Sequence, residues 1–211
     1  MKKITALRLG KGPRKRANIF LDSKFAFSLE AKVAAKEGLQ VEMELSPEQI
    51  EALAGSDSFQ RCFNAAVQYL SYRPRSEVEI RKRLHQRGFD GGNVETVITR
   101  LREQGLVDDI AFAQFWKDNR ESFSPRSKWL TRLELRGKGV ANDIIDQTVG
   151  TIDDDDSAYR AVRSKAHGLA DSDYQSFRRR LGEYLKRRGF SYGVINNAVE
   201  RMWQEQECNT K

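Results

Sequence analysis

Several stretches of this 211-residue chain carry residue types that could do chemistry. Gly10-Lys11-Gly12-Pro13-Arg14-Lys15-Arg16 has the composition of a phosphate-cradling loop, but not the Gly-x-x-x-x-Gly-Lys-Ser/Thr spacing. Pro13 also removes one amide donor, so the stretch reads as a basic hairpin tip that can touch a nucleic-acid backbone. Asp153-Asp154-Asp155-Asp156 offers the carboxylates that hard cations prefer. Consecutive residues converge poorly on one ion, however, and Ser157-Ala158-Tyr159 opens a helix whose start favours negative charge. That run and Asp108-Asp109 are therefore expected to be solvated linkers. His85 and His167 fall on polar sides of predicted helices with no third ligand in sight, and Cys62 and Cys208 have no motif around them. The cysteines read as reduced thiols. Nucleophilic catalysis needs a nucleophile, a base and an orienting group, and no local set supplies them. No enzymatic activity, metal or cofactor is expected.

Trp116, Trp129 and Trp203 could stack on bases, as single-strand binders arrange. Each sits among apolar neighbours at helical spacing, so core packing is the expectation. Arg75 and Arg126 are sharper. Both follow a proline and precede a serine able to cap a helix, which places them at a helix mouth. Two readings stay open there. Exposed amides and a guanidinium can face an anion together, or the arginine stacks on a neighbouring segment.

The elements that must position these residues recur. Leu84-His85-Gln86-Arg87-Gly88-Phe89 returns as Leu135-Arg136-Gly137-Lys138-Gly139-Val140, then as Leu185-Lys186-Arg187-Arg188-Gly189-Phe190. The offsets are 51 and 50 residues, and at those offsets Val94 and Ile98 map onto Ile145 and Val149, then Ile195 and Val199. A fixed period with apolar positions in register marks stacked supersecondary repeats. Each repeat reads as three helices. The first has Phe59–Ser71, a helix from Ser76 to Gly88 with i,i+4 pairs Glu77–Arg81 and Glu79–Arg83, and one carrying Val94, Ile98 and Leu101. The second has Asp109–Arg120, Ser127–Arg136 and Asn142–Val149, and the third Asp156–His167, Asp173–Arg188 and Tyr192–Gln206. Ser172-Asp173-Tyr174-Gln175 is a capping-box candidate for the last repeat's long middle helix.

Ahead of the repeats, Ile4–Leu9, Ala17–Leu21 and Phe25–Leu29 are short, rich in β-branched and aromatic residues, and separated by turn formers. They predict a small antiparallel sheet. Helices follow from Glu30 to Lys36 and from Ser46-Pro47-Glu48-Gln49 onward, with Gly55-Ser56-Asp57-Ser58 as a junction. The fold class is mainly α: three tandem three-helix repeats forming an elongated curved array behind a small N-terminal antiparallel β/α extension. The divisions fall at residues 1–57, 58–108, 109–155 and 156–211. No apolar run approaches the roughly 20 residues of a membrane helix, and the start of the chain has no signal-peptide pattern. A cytoplasmic protein is expected.

The net charge is +7, and its location matters more than its size. Arg73–Arg87 holds six basic and two acidic residues, Arg126–Lys138 five and one, and Arg178–Arg188 six and one. These middle-helix segments total +13, leaving −6 for the rest. That is a stripe suited to a polyanion or an acidic protein face. Its candidates are Arg73, Arg75, Arg81, Lys82, Arg126, Lys128, Arg132, Arg178, Arg179, Arg180, Lys186 and Arg187. Arg75, Arg126, Lys128 and Arg132 have few acidic residues nearby in sequence. Replacing Arg75 and Arg126 by Glu is therefore expected to leave the melting temperature almost unchanged.

Tyr72-Arg73-Pro74-Arg75-Ser76-Glu77-Val78-Glu79-Ile80-Arg81-Lys82-Arg83-Leu84, then Gly88-Phe89, Leu101 and Gly105-Leu106-Val107-Asp108-Asp109-Ile110-Ala111-Phe112-Ala113, followed by Pro125-Arg126-Ser127, resemble the RecX family of recombinase regulators. The resemblance covers about residues 58–206, and the strand-rich front piece is similar to an extension of some members. It implies three tandem three-helix units without enzymatic activity of their own. It also implies binding to RecA in the groove of the RecA–DNA filament, lowering filament growth, ATPase, strand exchange and coprotease activity. DNA repair, homologous recombination and the SOS response are the implied setting. The expected partners are RecA and, weakly, single- and double-stranded DNA, met by a monomer. The alternative is a stand-alone basic helical DNA-binding regulator reading DNA with one helix.

Overall fold

The computed structural model describes residues 1–10, 16–169 and 173–209, with His167 and residues 207–209 in backbone only. Strands β1 (Lys2–Leu9), β2 (Arg16–Leu21) and β3 (Lys24–Glu30) precede helix α1 (Ala31–Lys36) and the short β4 (Glu44–Leu45). The sheet is antiparallel in the order β3-β2-β1-β4. β2 alternates, burying Ala17, Ile19 and Leu21. Asp22 and Ser23 both take positive φ, 48° and 66°, which the tight β2–β3 hairpin requires. The three strands expected from sequence are present. The two-residue β4 had no readable pattern, and residues 11–15 of the basic tip lie outside the described residues.

Helix α2 runs unbroken from Pro47 to Leu70. Its start is the expected capping box: Ser46 accepts from Gln49 N–H, and the Gln49 side chain accepts from Ser46 N–H. The junction expected at Gly55–Ser58 is instead helix interior. A glycine there costs only about 1 kcal/mol, and Asp57 is tied in from outside. It is 4% exposed, accepts from Glu30 N–H at 2.8 Å and pairs with Arg16 at 2.9 Å. A buried, satisfied carboxylate of this kind holds a helix across a weak local sequence.

The remaining helices are α3 (Glu77–Gln86), α4 (Gly91–Glu103), α5 (Asp109–Phe123), α6 (Lys128–Gly137), α7 (Asn142–Gly150), α8 (Asp154–Ala166), α9 (Tyr174–Lys186) and α10 (Tyr192–Asn209). Their trios follow the period, and each middle helix ends alike. Phe89, Val140 and Phe190 donate their N–H groups to Leu84, Leu135 and Leu185, around glycines at φ +80°, +79° and +84°. Leu84, Leu135 and Leu185 are all buried, as are Val94, Ile98, Ile145, Val149 and Val199. Of the aligned apolar positions, Phe89 and Ile195 are only partly buried.

The chain divides into two compact bodies, Met1–Arg73 with Ile80–Gln104, and Pro74–Glu79 with Gly105 onward. In the first, Ile4, Ile19, Leu29, Leu45 and Leu53 form one cluster, and α2 packs on α4. In the second, Phe112, Leu135, Ile145 and Val149 form a cluster, and Phe177, Leu181, Leu185 and Val199 form another. No helix among the described residues is long and apolar enough to cross a membrane.

Candidate functional site

The two helix mouths at Arg75 and Arg126 are occupied by the protein itself. Ser127 caps α6 by accepting from Leu130 N–H at 3.1 Å, while its own N–H donates to Arg188 O at 3.0 Å. The Lys128 N–H, left over at the start of α6, donates to Asp154 Oδ1 at 2.6 Å. The same clasp forms at α3. Ser76 Oγ accepts from Glu79 N–H at 3.2 Å and donates to Lys138 O at 2.6 Å, and Glu77 N–H donates to Asp109 Oδ1 at 2.9 Å. Each mouth attracts an anion, as a helix start should, but the anion is a carboxylate that opens a later helix of the same chain.

Two expectations change with this. Asp153, Asp154, Asp108 and Asp109 are structural parts of helix starts rather than solvated linkers, while Asp155 and Asp156 stay exposed. Asp153 caps Asp155 and Asp156, Asp108 caps Ile110 and Ala111, and Asp154 and Asp109 reach across to α6 and α3. Among the described residues no group of three or more His, Cys, Asp or Glu side chains is arranged to hold a metal. Likewise, α9 is capped by Asp173, accepting from Ser176 N–H at 3.0 Å. The capping role expected at Ser172 falls on a residue outside the described ones.

The arginines expected to lack acidic partners have them. Arg126 pairs with Glu134, whose carboxylate also accepts from Arg120 Nε and Trp116 Nε1, each at 2.8 Å. Burial pulls the Arg126 guanidinium below its ordinary range while the Glu134 charge opposes that. Arg132 pairs with Asp146 at 2.7 Å. Neither acid lies within four residues, so counting along the helix missed them. One is two turns on and the other belongs to α7. Arg81 grips Glu95 with two bonds of 2.8 and 2.7 Å and holds that carboxyl below its usual range. Lys128 Nζ lies 3.4 Å from Gly150 O, and Lys138, not among the candidates, pairs with Glu79 at 2.8 Å. Much of the basic stripe thus neutralises the chain's own carboxylates.

A smaller set is left over. Lys82, Arg179, Arg180, Lys186 and Arg187 are exposed, and their side chains make no hydrogen bond or ion pair among the described residues. Four of the five are on or just beyond α9. Arg178 donates to Tyr192 OH at 3.2 Å and Asn196 Oδ1 at 3.5 Å. Arg73 and Arg75 are half-buried before α3.

Trp203 packs edge-on against Phe177 at 5.2 Å, as core packing requires. Trp116 is half-buried beneath Arg120 and Lys138. Trp129 overturns the core expectation, being 57% exposed. Its helix buries the opposite stripe, Thr131 and Leu135. His85 is exposed, whereas the His167 side chain lies outside the described residues. Cys62 is fully buried, and burial, helped by the charge of Asp90, pushes its thiol up to about 11. Such a thiol carries little thiolate at neutral pH and is unreactive. The Cys208 side chain lies outside the described residues.

Sequence reasoning passed over one feature. A groove of about 560 Å³ runs between α9 and the start of α10, lined by Arg178, Arg179, Lys186, Tyr174 and Tyr192 around Gly182. Its signal was in the register: seven residues before the repeated glycine stand Arg81, Arg132 and Gly182.

Comparison with known proteins gives the same assignment along the chain. Models of the RecX N-terminal domain, the first RecX three-helix domain and the third RecX three-helix domain match residues 2–46, 62–101 and 153–199. Regulatory protein RecX of Bacillus velezensis is 30% identical over 207 residues, covering 97% of this chain and 79% of that protein. The Clostridium botulinum protein of the same name is 28% identical over 205 residues, covering 95% and 96%. A crystal structure of a regulatory protein RecX superposes with a TM-score of 0.66 at 26% identity, covering 95% of this chain and all of that one. The chain belongs to the RecX family of regulatory proteins.

Proposed function

We propose that this chain binds the RecA–DNA filament and lowers its growth, and with it RecA ATPase, strand exchange and coprotease activity. Family membership supports the partner. The observation that carries the contact chemistry is the set of exposed cations on or just beyond α9, Arg179, Arg180, Lys186 and Arg187, which no carboxylate among the described residues neutralises. Such charges are available to DNA phosphates or to an acidic RecA surface. A modulator of this kind needs no chemistry of its own. It shifts assembly by its difference in affinity between filament geometries. The protein acts in the cytoplasm as a monomer. Residues 1–57, 58–108, 109–155 and 156–211 are its proposed divisions, the first boundary falling inside α2.

The test is single-strand-dependent ATP hydrolysis by RecA. Substoichiometric amounts of this protein should suppress it, and Arg179→Glu with Arg187→Glu should weaken the suppression. An undiminished hydrolysis rate at saturating protein would sink the proposal. The rival reading, a stand-alone DNA-binding regulator, predicts equal affinity and equal salt slope for free DNA and filament. The filament reading predicts tighter and less salt-sensitive binding to the filament.

A further inference from the structure

The three repeats are aligned by Gly88, Gly139 and Gly189, and at one place they disagree. Seven residues before that glycine, Arg81 and Arg132 reach to acids seven residues after it, Glu95 and Asp146. In the third repeat both members are replaced, by Gly182 and Asn196. The missing pair leaves the α9–α10 groove open. It also uncovers Ile195, which is only partly buried where Val94 and Ile145 are buried.

What lines the opening is specific in charge. Arg178, Arg179 and Lys186 face it, and no carboxylate among the described residues does. Arg179 and Lys186 have no partner among the described residues. Two aromatic rings stand at its edge. Tyr192 is 71% exposed and held by the Arg178 bond to its hydroxyl, and Tyr174 is 36% exposed and braced edge-on by Trp203 at 5.3 Å. The helix floor at Gly182 has no side chain, so a flat group can lie against it. The volume suits a group of small-molecule size. Cations beside exposed, braced rings are the means by which proteins hold unpaired nucleotides, phosphate on the cations and base on the ring. A duplex keeps its bases stacked and offers no face to Tyr192.

We infer that this groove is a binding site for a nucleotide unit of single-stranded nucleic acid, with Arg179 and Lys186 on the phosphates and Tyr192 stacked on a base. The inference rests on the proposed function only for where the strand is met, and the site is testable without RecA.

The decisive variant restores what the other repeats have. Gly182→Arg with Asn196→Asp rebuilds the pair, fills the groove and leaves net charge unchanged. A Cβ at Gly182 meets nothing closer than Ile195 Cγ2 at 3.8 Å, so α9 accommodates it. Anisotropy of a labelled oligothymidylate should show affinity about tenfold weaker for this variant and for Tyr192→Ala. A duplex of equal length should be bound much as before by both. Arg179→Gln with Lys186→Gln should reduce the log–log salt slope by about 0.7 for each phosphate no longer neutralised, whereas Tyr192→Ala should leave the slope alone. Unchanged oligothymidylate affinity in either Gly182→Arg/Asn196→Asp or Tyr192→Ala overturns the inference, as does an equal loss on duplex. Polyglutamate bound as tightly as the oligonucleotide, and lost in the same variants, would make the groove a dock for acidic protein instead. Circular dichroism checks the fold of each variant. A wild type that binds oligothymidylate through the groove yet leaves RecA ATPase untouched would refute the filament proposal and keep this one.

Discussion

Substituting alanine at the three aligned glycines separates the two jobs those residues do. All three have left-handed backbone, φ +80° at Gly88, +79° at Gly139 and +84° at Gly189. An L-residue there costs about 1–2 kcal/mol, and that part should be equal at the three sites. Their surroundings are not equal. A Cβ on Gly88 meets nothing within 4 Å. One on Gly139 would lie 2.4 Å from Val78 Cγ2, and one on Gly189 would lie 2.7 Å from Ser127 Oγ and 2.8 Å from Leu130 Cβ. Overpacking of that kind adds about 1–3 kcal/mol. Gly88→Ala should therefore destabilise by about 1–2 kcal/mol, and Gly139→Ala and Gly189→Ala by about 2–5 kcal/mol. Urea denaturation followed by circular dichroism reads these differences as midpoint shifts at constant slope. Val78→Ala removes two of the three crowding atoms and leaves the Cβ at 2.6 Å, so it should recover part of the Gly139→Ala loss. Equal losses at all three glycines, or no coupling between positions 78 and 139, would refute the idea that these turns are clasps.

The other expectations test the charges around those clasps. Asp154→Ala should destabilise by about 1 kcal/mol through the lost bond to Lys128 N–H, whereas Asp156→Ala, an exposed i,i+4 partner of Arg160, should change thermal unfolding by no more than about 0.5 kcal/mol. Glu134→Gln weakens the interactions with Arg126, Arg120 and Trp116 at once and should cost about 2 kcal/mol, and Arg126→Glu should lower the melting temperature for the same reason. An unshifted transition in either variant would return Arg126 to the set of free cations. Acid should loosen α4 and α9 first. Asp90 and Asp173 have carboxyls held below their ordinary range, mainly by the backbone N–H groups of Asn93 and Ser176. Their contribution is therefore complete above the ordinary carboxylate range, about pH 4, and is lost as pH falls through the lowered values. Stability that rose on acidification through that window would show the sign to be wrong.

The parts of the fold legible in the sequence are those fixed by interactions close along the chain. The period of the glycines, the leucine four residues before each, and the Ser46 capping box depend on neighbours within one or two turns. What was misread depended on residues far apart. Gly55 and the short polar run after it look like a break, and only the bonds of Asp57 to Arg16 and Glu30 show why α2 continues. Asp154 and Asp109 look solvated until their amide partners, 26 and 32 residues away, are seen. Trp129 has apolar neighbours in sequence, but α6 buries the stripe of Thr131 and Leu135, and Leu133, one turn on from Trp129, is exposed with it.

The same distinction governs the basic segments. A positive count for a helix says nothing about how much of the charge is left after the fold closes. In the second repeat Arg126, Arg132 and Lys138 pair with Glu134, Asp146 and Glu79, so that helix commits most of its cations to assembly. In the third, the acid facing position 182 is gone, the arginine at that position is gone with it, and the neighbouring cations of α9 stay exposed. An internal repeat makes the departure visible without any other sequence: where two copies keep a charged pair and the third drops both partners together, the third has exchanged a structural tie for an open, uncompensated surface. Charge that no carboxylate neutralises is what an external polyanion can use, and we therefore propose that the contact surface of this chain centres on α9 and the start of α10 rather than running evenly along its three basic helices.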